Sequence, residues 1–355
     1  MAKWVIPQFS KSRVDKAGKL LSEGDLSIIA RAATLNIINN WRSTHSYVLH
    51  IAKKNLQKRA QNINPNSVSA QRLKRLSSIT LKLRRNRAMK LTQMQDIAGC
   101  RSVMPTIEDT MKLIDVYEKS IAKNPPKKEK TPTRPEVVER YDYITSPKPD
   151  GYRSYHYVYK YWSSAEDKHV YNGLRVEIQI RSKLQHAWAT AVEAVSTFTE
   201  QALKSGLGDV RWKRFFALVG SVIALEENCP IVPNTPTDKK ELIAEIKNLF
   251  QELQVEIVLM GISATVELTR TETYSAAFLM VLDAHQQKLE VTGYRKEELI
   301  KASEEYLLVE EKYADDPKVQ AVLVSVDSLA TLQSAYPNYY LDTDEFLDLV
   351  RRAIA

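Results

Sequence analysis

The sequence predicts an α+β protein: a mixed β-sheet flanked by helices, then a small α+β C-terminal module joined by a long helix. Three observations carry that expectation. Arg175-Val-Glu-Ile-Gln-Ile-Arg181 alternates apolar and polar residues with the period of a half-buried strand. Strand-like runs at 96–103, 155–162 and 174–180 are separated by segments whose apolar residues recur every three or four positions. From Ala276 onward the chain turns acidic and shows strand and helix signals of its own.

Taken in order, Phe9 to Lys53 reads as one helix, with Ser22 and Asp25 able to cap and Ile28, Ala32, Leu35, Ile38 and Trp41 on one face. Asn62–Ser67 is a loop. Ser69–Lys90 reads as a second helix with Leu73, Leu76, Ile79 and Leu83 as its apolar stripe. Asp96–Val103 is strand-like, and Thr106 opens a helix over Ile107–Lys123. The Pro/Lys-rich stretch Asn124–Glu136 is a loop. A strand over Tyr155–Trp162 follows a Gly151 turn, and a short hairpin leads into Leu174–Ile180. Leu184–Lys204 and Arg211–Glu227 read as helices, and Thr237 to about Ile262 as a long amphipathic connector. Then come a hairpin (Ala276–Leu282, Lys288–Thr292), a helix over Lys296–Ala314 and a strand over Val319–Val326. A short helix capped by Ser328 must end before Pro337, and Asp342–Glu345 resembles a capping box opening the last helix. The expected organisation is a catalytic domain over 1–235, a connector over 236–268 and a C-terminal domain over 269–355.

At 355 residues, 44% of them hydrophobic, the chain can bury a full core. No apolar run approaches the roughly 20 residues that span a bilayer, and Met1–Pro7 lacks the apolar core of a signal peptide. Cys100 and Cys229 are far apart, which indicates neither a disulfide framework nor structural zinc. A cytoplasmic protein without a membrane partner is expected, with a monomer favoured. The net charge of +8 is unevenly placed. No acidic residue occurs between Asp25 and Asp96, whereas residues 296–355 hold thirteen acids against six bases. A basic front suits a polyanion, and an acidic tail could shield it.

Two carboxylates, Asp96 and Glu177, are expected on neighbouring strands, and magnesium needs little more than such a pair plus substrate phosphates. Arg72, Lys74, Lys82 and Arg101 could neutralise a triphosphate, with Ser78 adding a hydroxyl. No GxxxxGK loop is present, which excludes a P-loop enzyme. Tyr152 could stack on a base, and Lys148 and His156 could reach phosphates or an acceptor ribose. Singly, His156 could be a satisfied core histidine and Asp96 a helix cap; jointly they converge on phosphate chemistry.

The motifs Arg72-x-Lys74-x-x-x-Ser78-Ile-x-x-Lys82-Leu, Asp96-Ile-Ala-Gly-x-Arg101, Asp142-Tyr-Ile-x-x-Pro-Lys148-x-x-Gly151-Tyr152-Arg-Ser-x-His156 and Glu177-Ile-Gln179-Ile-Arg181 resemble the synthetase domain of RelA/SpoT proteins, over about residues 30–205. The resemblance implies a nucleotidyltransferase-like fold and transfer of the ATP β,γ-diphosphate to a ribose hydroxyl. It implies that Arg72, Lys74, Ser78, Lys82 and Arg101 bind ATP and that Asp96 binds Mg2+. Glu177 would bind Mg2+ or activate the acceptor hydroxyl, and Tyr152 would stack on the acceptor base. Lys148 and Gln179 join Tyr152 as acceptor-binding residues, and His156 joins Asp96, Glu177 and Tyr152 as catalytic. No His-Asp hydrolase half is expected ahead of the domain, and Asp150 stands where the family's PKxNGY turn has Asn.

Leu184–Glu193 is similar to the toxic small synthetases, and Tyr336-Pro-Asn-Tyr339 resembles the YxxY segment of the CapRel group of fused toxin–antitoxin defence proteins. That resemblance implies a C-terminal domain whose Tyr336 and Tyr339 block the ATP site until a phage protein, the major capsid protein, binds. It also implies tRNA as the acceptor, modified at its 3′ CCA end. Packing at a helix end is the structural alternative for the two tyrosines. Lys127, Lys128, Lys130 and Arg134, together with Lys53, Lys54, Lys58 and Arg59, offer surfaces for a phosphate backbone. Two other readings are an alarmone synthetase making (p)ppGpp or an adenosine analogue, and a catalytically silent RNA-binding or sensing module.

Overall fold

The computed structural model describes residues 4–24, 27–123, 133–198, 207–261, 265–270, 276–283, 285–286, 288–313, 316, 318–324 and 343–355. The predicted α+β class with a mixed sheet is what forms. Among the described residues nine strands make one sheet: β1 Val68–Leu73, β2 Ala98–Met104, β3 Glu136–Asp142, β4 Tyr155–Lys160, β5 Arg175–Ser182, β6 Thr265–Arg270, β7 Ala277–Asp283, β8 Lys288–Tyr294 and β9 Val319–Val324. Their order is β3-β4-β5-β2-β1-β9-β7-β8-β6. The β2/β5 and β6/β8 pairs are parallel and the others antiparallel. The front and rear halves of the chain meet in the sheet at β1 and β9, where Arg72 pairs with Val324.

Helices α1 Lys11–Glu23, α2 Ile28–Ile63, α3 Leu76–Arg85 and α4 Ile107–Lys123 belong to the front half. They are followed by α5 Lys183–Phe198, α6 Leu207–Glu226, α7 Lys239–Glu252, α8 Val255–Gly261, α9 Leu299–Lys312 and α10 Asp344–Ile354. One core unites both halves: Trp188, Phe215 and Phe216 share a buried cluster with Phe278, Met280, Val322 and Phe346. A second cluster lies behind β5, where Val176, Ile178 and Ile180 join Tyr117 and Tyr157. A third packs α9 on the sheet through Leu279, Ala302, Tyr306 and Ala321.

Several expectations need correction. The helix predicted over Phe9–Lys53 is two helices, because Gly24 at φ 83° closes α1 in the left-handed region that glycine adopts without strain. The caps are Ser10 and Ser27 rather than Ser22 and Asp25, and α2 runs on to Ile63 and shortens the expected loop. The helix predicted over Ser69–Lys90 begins only at Leu76. The preceding residues pair antiparallel with β2 from Val68↔Val103 to Leu73↔Ala98, and long-range pairing overrides a local helical pattern. Strand β3 is not among the expected strands: it runs from Glu136, the last residue of the expected loop, to Asp142, the first of the turn motif, with its neighbour β4 supplying the pairing. The long connector helix breaks at Gln254, where φ is 49°, and β6 begins inside the range 236–268 expected as the connector. Thr343 opens α10 without a side-chain capping bond. The Thr106 cap holds, its Oγ1 accepting from Asp109 N at 3.2 Å. The Ser328 helix, Tyr336 and Tyr339, and the loop lysines Lys127, Lys128 and Lys130 lie outside the described residues.

Candidate active site

Side-chain alternation on β5 places Glu177, Gln179 and Arg181 on one face. Parallel pairing sets Glu177 opposite Gly99 and Gln179 opposite Arg101. Antiparallel pairing sets His156 opposite Gln179. Asp96 immediately precedes β2, and Lys74 lies between β1 and α3, its N–H donating to the Ile97 carbonyl at 2.8 Å. The outcome is a cavity of about 80 Å³ bordered by Arg72, Lys74, Asp96, Arg101, Glu177 and Gln179. Six predicted residues thus converge on one space.

Asp96 is clamped by two cations, Lys74 Nζ at 2.8 Å from Oδ2 and Lys82 Nζ at 3.0 Å from Oδ1. Burial opposes the carboxylate charge, but the two lysines outweigh it and hold the carboxyl below its ordinary range. Lys74 is shifted down in turn, first by burial and then by Arg72 and Lys82, against the pull of Asp96. Glu177 is fixed at both oxygens: Oε1 lies 3.0 Å from His156 Nδ1, and Oε2 accepts from Gln179 Nε2 at 2.7 Å. Burial pushes its carboxyl up, yet the His156 and Gln179 contacts prevail and leave it below the ordinary glutamate value, with Asp96 acting the other way. Both carboxylates are therefore anionic at neutral pH.

His156 Nε2 lies 2.9 Å from the Tyr152 hydroxyl, completing a Tyr152–His156–Glu177 chain. Arg181, part of the motif but not counted among the predicted site residues, closes it by donating to Gln179 Oε1 at 2.6 Å and to the Tyr152 hydroxyl at 3.4 Å. Tyr143 was also missed as a site residue. Lys148 Nζ stands 4.4 Å from its ring centroid and 5.1 Å from that of Tyr152, and Tyr143 stacks on Tyr141. The spacing Tyr141-x-Tyr143, which puts both rings on one side of the chain, was the available signal.

The Tyr152 turn is built locally. Asp150 Oδ1 accepts from Tyr152 N at 3.0 Å, so the aspartate keeps the turn an asparagine would make and adds a negative charge. Gly151 has φ 95°, and a Cβ there would stand 2.8 Å from the Phe216 carbonyl oxygen. Arg153, only 2% exposed, donates to the carbonyls of Ile144, Gly220 and Pro230 and pins the turn to α6.

Ser78 falls elsewhere. It lines a larger cleft of about 540 Å³ between α3 and the C-terminal α9 and β9, together with Arg75, Arg84, Glu310 and Gln320. Beside that cleft the C-terminal helix reaches the site's frame. Arg42, 1% exposed, pairs with Glu310 at 2.7 Å and donates to the Tyr306 hydroxyl at 2.8 Å. Its Nε donates to the Lys74 carbonyl at 3.1 Å. Glu310 Oε1 also accepts from Leu76 N at 2.9 Å, at the first turn of α3. Of the basic surface expected on α2, only Lys54 and Lys58 are exposed. Lys53 is 6% exposed and bonds Gln57, and Arg59 lies over the Tyr117 ring. Arg134 is exposed.

Residues 71–202, which carry all four motifs, match the family model for the region found in RelA / SpoT proteins. This segment is similar to small alarmone synthetases. The GTP pyrophosphokinase YjbM of Bacillus subtilis (strain 168) is 36% identical over 123 residues, 34% of this chain and 51% of that protein. The chain thus spans about half the length of this curated relative. Among solved structures, the small alarmone synthetase 1 of B. subtilis bound to its product pppGpp is 24% identical, covering 60% of this chain and 98% of that one, with a TM-score of 0.38. A GTP pyrophosphokinase family protein from Streptococcus pneumoniae is 21% identical over 59% of this chain and 92% of that one, with a TM-score of 0.37. No helix among the described residues is long and apolar enough to cross a membrane.

Proposed function

We propose that this chain is an ATP-dependent pyrophosphokinase that moves the β,γ-diphosphate of ATP to a ribose hydroxyl. The observation that carries the reading is the cavity in which Arg72, Lys74 and Arg101 face Asp96, Glu177 and Gln179, inside the segment that matches the RelA / SpoT region. The cations neutralise the triphosphate, and Lys82 adds to them from α3. Tyr152 and Tyr143 offer rings for the acceptor base. The acceptor oxygen attacks the β-phosphorus, the bond to the oxygen bridging α and β breaks, and AMP leaves with that oxygen. Glu177, anionic and oriented by His156 and Gln179, takes the hydroxyl proton.

Asp96 and Glu177 border one cavity and feel each other's charge. Among the described residues no group of three or more His, Cys, Asp or Glu surrounds a point. That donor set fits Mg2+, which takes one or two carboxylates and completes its shell with water and substrate phosphates. When bound, the ion would neutralise charge developing on the diphosphate.

We propose tRNA as the acceptor. The exposed bases Lys54, Lys58 and Arg134 support a phosphate-tracking surface, as do Lys127, Lys128 and Lys130 by sequence. A free nucleotide is the second reading, favoured by the likeness to a GTP pyrophosphokinase. Incubating the full chain with γ-labelled ATP, Mg2+, tRNA, GDP and the proposed trigger, the major capsid protein, separates them: label is expected in tRNA, and label confined to nucleotide would overturn the first reading.

The same reading includes inhibition by the C-terminal module and release by a phage protein, the major capsid protein, in defence. The chain Lys74–Arg42–Glu310 supports it, since α9 is one residue away from the site lysine. Tyr336 and Tyr339 are the proposed blocking residues. Tyr339→Ala should make expression toxic, and adding Tyr152→Ala should relieve it. A harmless Tyr339→Ala single variant would count against the block.

A further inference from the structure

The reverse side of β5 holds a second cavity, of about 290 Å³, between α2, α4 and the sheet. It is close to the lower end of the range typical for small-molecule sites, roughly 300–1,000 Å³. Val176 and Ile178 form its floor, and these two residues flank Glu177 on the strand. Its walls combine three tyrosines, Tyr117, Tyr159 and Tyr161, with two arginines, Arg59 and Arg134. Among the described residues, no aspartate or glutamate lines it.

Two of the lining groups have spare hydrogen-bonding capacity. Arg59 stacks over the Tyr117 ring at 4.5 Å and donates through Nη2 to Ser120 Oγ at 3.2 Å, while its Nη1 is buried with no hydrogen-bond partner among the described residues. Tyr117 is 3% exposed, and its hydroxyl is buried without a hydrogen-bond partner among the described residues. Burial keeps that phenol protonated far beyond its usual range, so it remains a donor. Buried polar atoms left unpaired are costly, and donors dominate here. Glu118, on α4, is engaged by the Tyr155 and Tyr157 hydroxyls and by Arg140.

We propose that this cavity is a binding site for a small aromatic anion: a flat ring held by Tyr117, Tyr159 and the Val176–Ile178 floor, with its carboxylate or phosphate on Arg59. The tyrosine rings supply offset or edge contacts, and a guanidinium meets a planar carboxylate through two parallel N–H donors. Neutral ligands of the same shape gain only the apolar part. The site is independent of the diphosphate chemistry proposed above and is tested without it.

The probes are 2-naphthoate, its neutral counterpart 2-naphthalenemethanol, and phenyl phosphate, titrated calorimetrically into the full-length protein. Naphthoate or phenyl phosphate is expected to bind at least ten-fold more tightly than the alcohol, and whichever is tighter identifies the anionic group. Arg59→Met should weaken it at least ten-fold, and Ala52→Trp, which fills the cavity from α2, should abolish binding. Circular dichroism and melting separate a filled cavity from a misfolded chain, and Arg59→Met keeps the test open if Ala52→Trp does not fold. Intermolecular NMR contacts should reach the Val176 and Ile178 methyl groups. Equal binding of naphthoate and the alcohol would overturn the proposal. So would binding lost in Lys74→Ala but kept in Arg59→Met, because that places the anion in the front cavity.

Discussion

The two sides of β5 differ as sharply as any two regions of this protein. On one side Glu177 and Gln179 border a small, charge-dense cavity, with His156 and Arg181 hydrogen-bonded to them. On the other, Val176 and Ile178 floor a larger cavity of tyrosines and arginines with donors to spare. A period of two lets one strand do both, since adjacent side chains point to opposite faces. The front is pre-organised for charge by ion pairs, whereas the back owes its shape to packing. Substitutions should therefore act on the front through rate and on the back through stability or binding.

The largest separation is expected from Glu177→Gln. It keeps the shape of the side chain but removes the charge that His156 and Gln179 orient, and should lower diphosphate transfer about 10³-fold, or about 4 kcal/mol. Naphthoate binding behind the strand should not change, as calorimetry on the same sample would show. Glu310→Ala should come next, measured as stability. It leaves Arg42 buried with a lost carboxylate, which costs about 3–5 kcal/mol in buried pairs, and urea melts should show it.

A third effect is tied to pH. Burial pushes the His45 imidazole down to about 4, and its Nδ1 lies 2.8 Å from the Trp41 carbonyl. With a lowered folded value and an ordinary unfolded one of 6.5, the unfolded chain binds the extra proton in between. Stability should be full above 6.5 and decline as pH falls toward 4, by about 3 kcal/mol, whereas His45→Gln should flatten that slope. The Glu177 carboxyl is also shifted down, which for an acid favours the charged form, so its contribution is present above the ordinary glutamate value and is lost only as pH falls below it. The two groups therefore fail in separate pH windows. The smallest effect should come from Ile178→Val, about 1 kcal/mol in melts, with transfer rates within two-fold of the parent.

The polar row of β5 was legible because alternation is a local property, and Asp96, Tyr152 and His156 were legible through fixed motif spacing. Asp96, Glu177 and Gln179 then meet at one cavity through register, with Tyr152 and His156 joined to Glu177 by hydrogen bonds. Arg72 was placed on a helix because Leu73, Leu76, Ile79 and Leu83 recur at helical spacing; only pairing with a strand 30 residues away reveals β1. Ser78 was grouped with the phosphate cations by motif, yet it faces the cleft under α9. Arg59 was read as surface because its positive charge gives no hint of the Tyr117 ring beneath it. The partnership of Arg42 with Glu310 spans 268 positions, and the charge asymmetry of the two halves foreshadowed only its sign.

That partnership has a consequence for dissecting the protein. A chain ended before Leu299 would lose Glu310, Tyr306 and the α10 aromatic Phe346 that shares a core with Phe215 and Phe216. It would keep Arg42 inside, charged and unanswered. Such a fragment should be poorly folded rather than unleashed, so inactivity in it would say nothing about regulation. The rear half is a folding partner of the front half before it is anything else, and its influence on the site is best read by loosening single contacts within the intact chain.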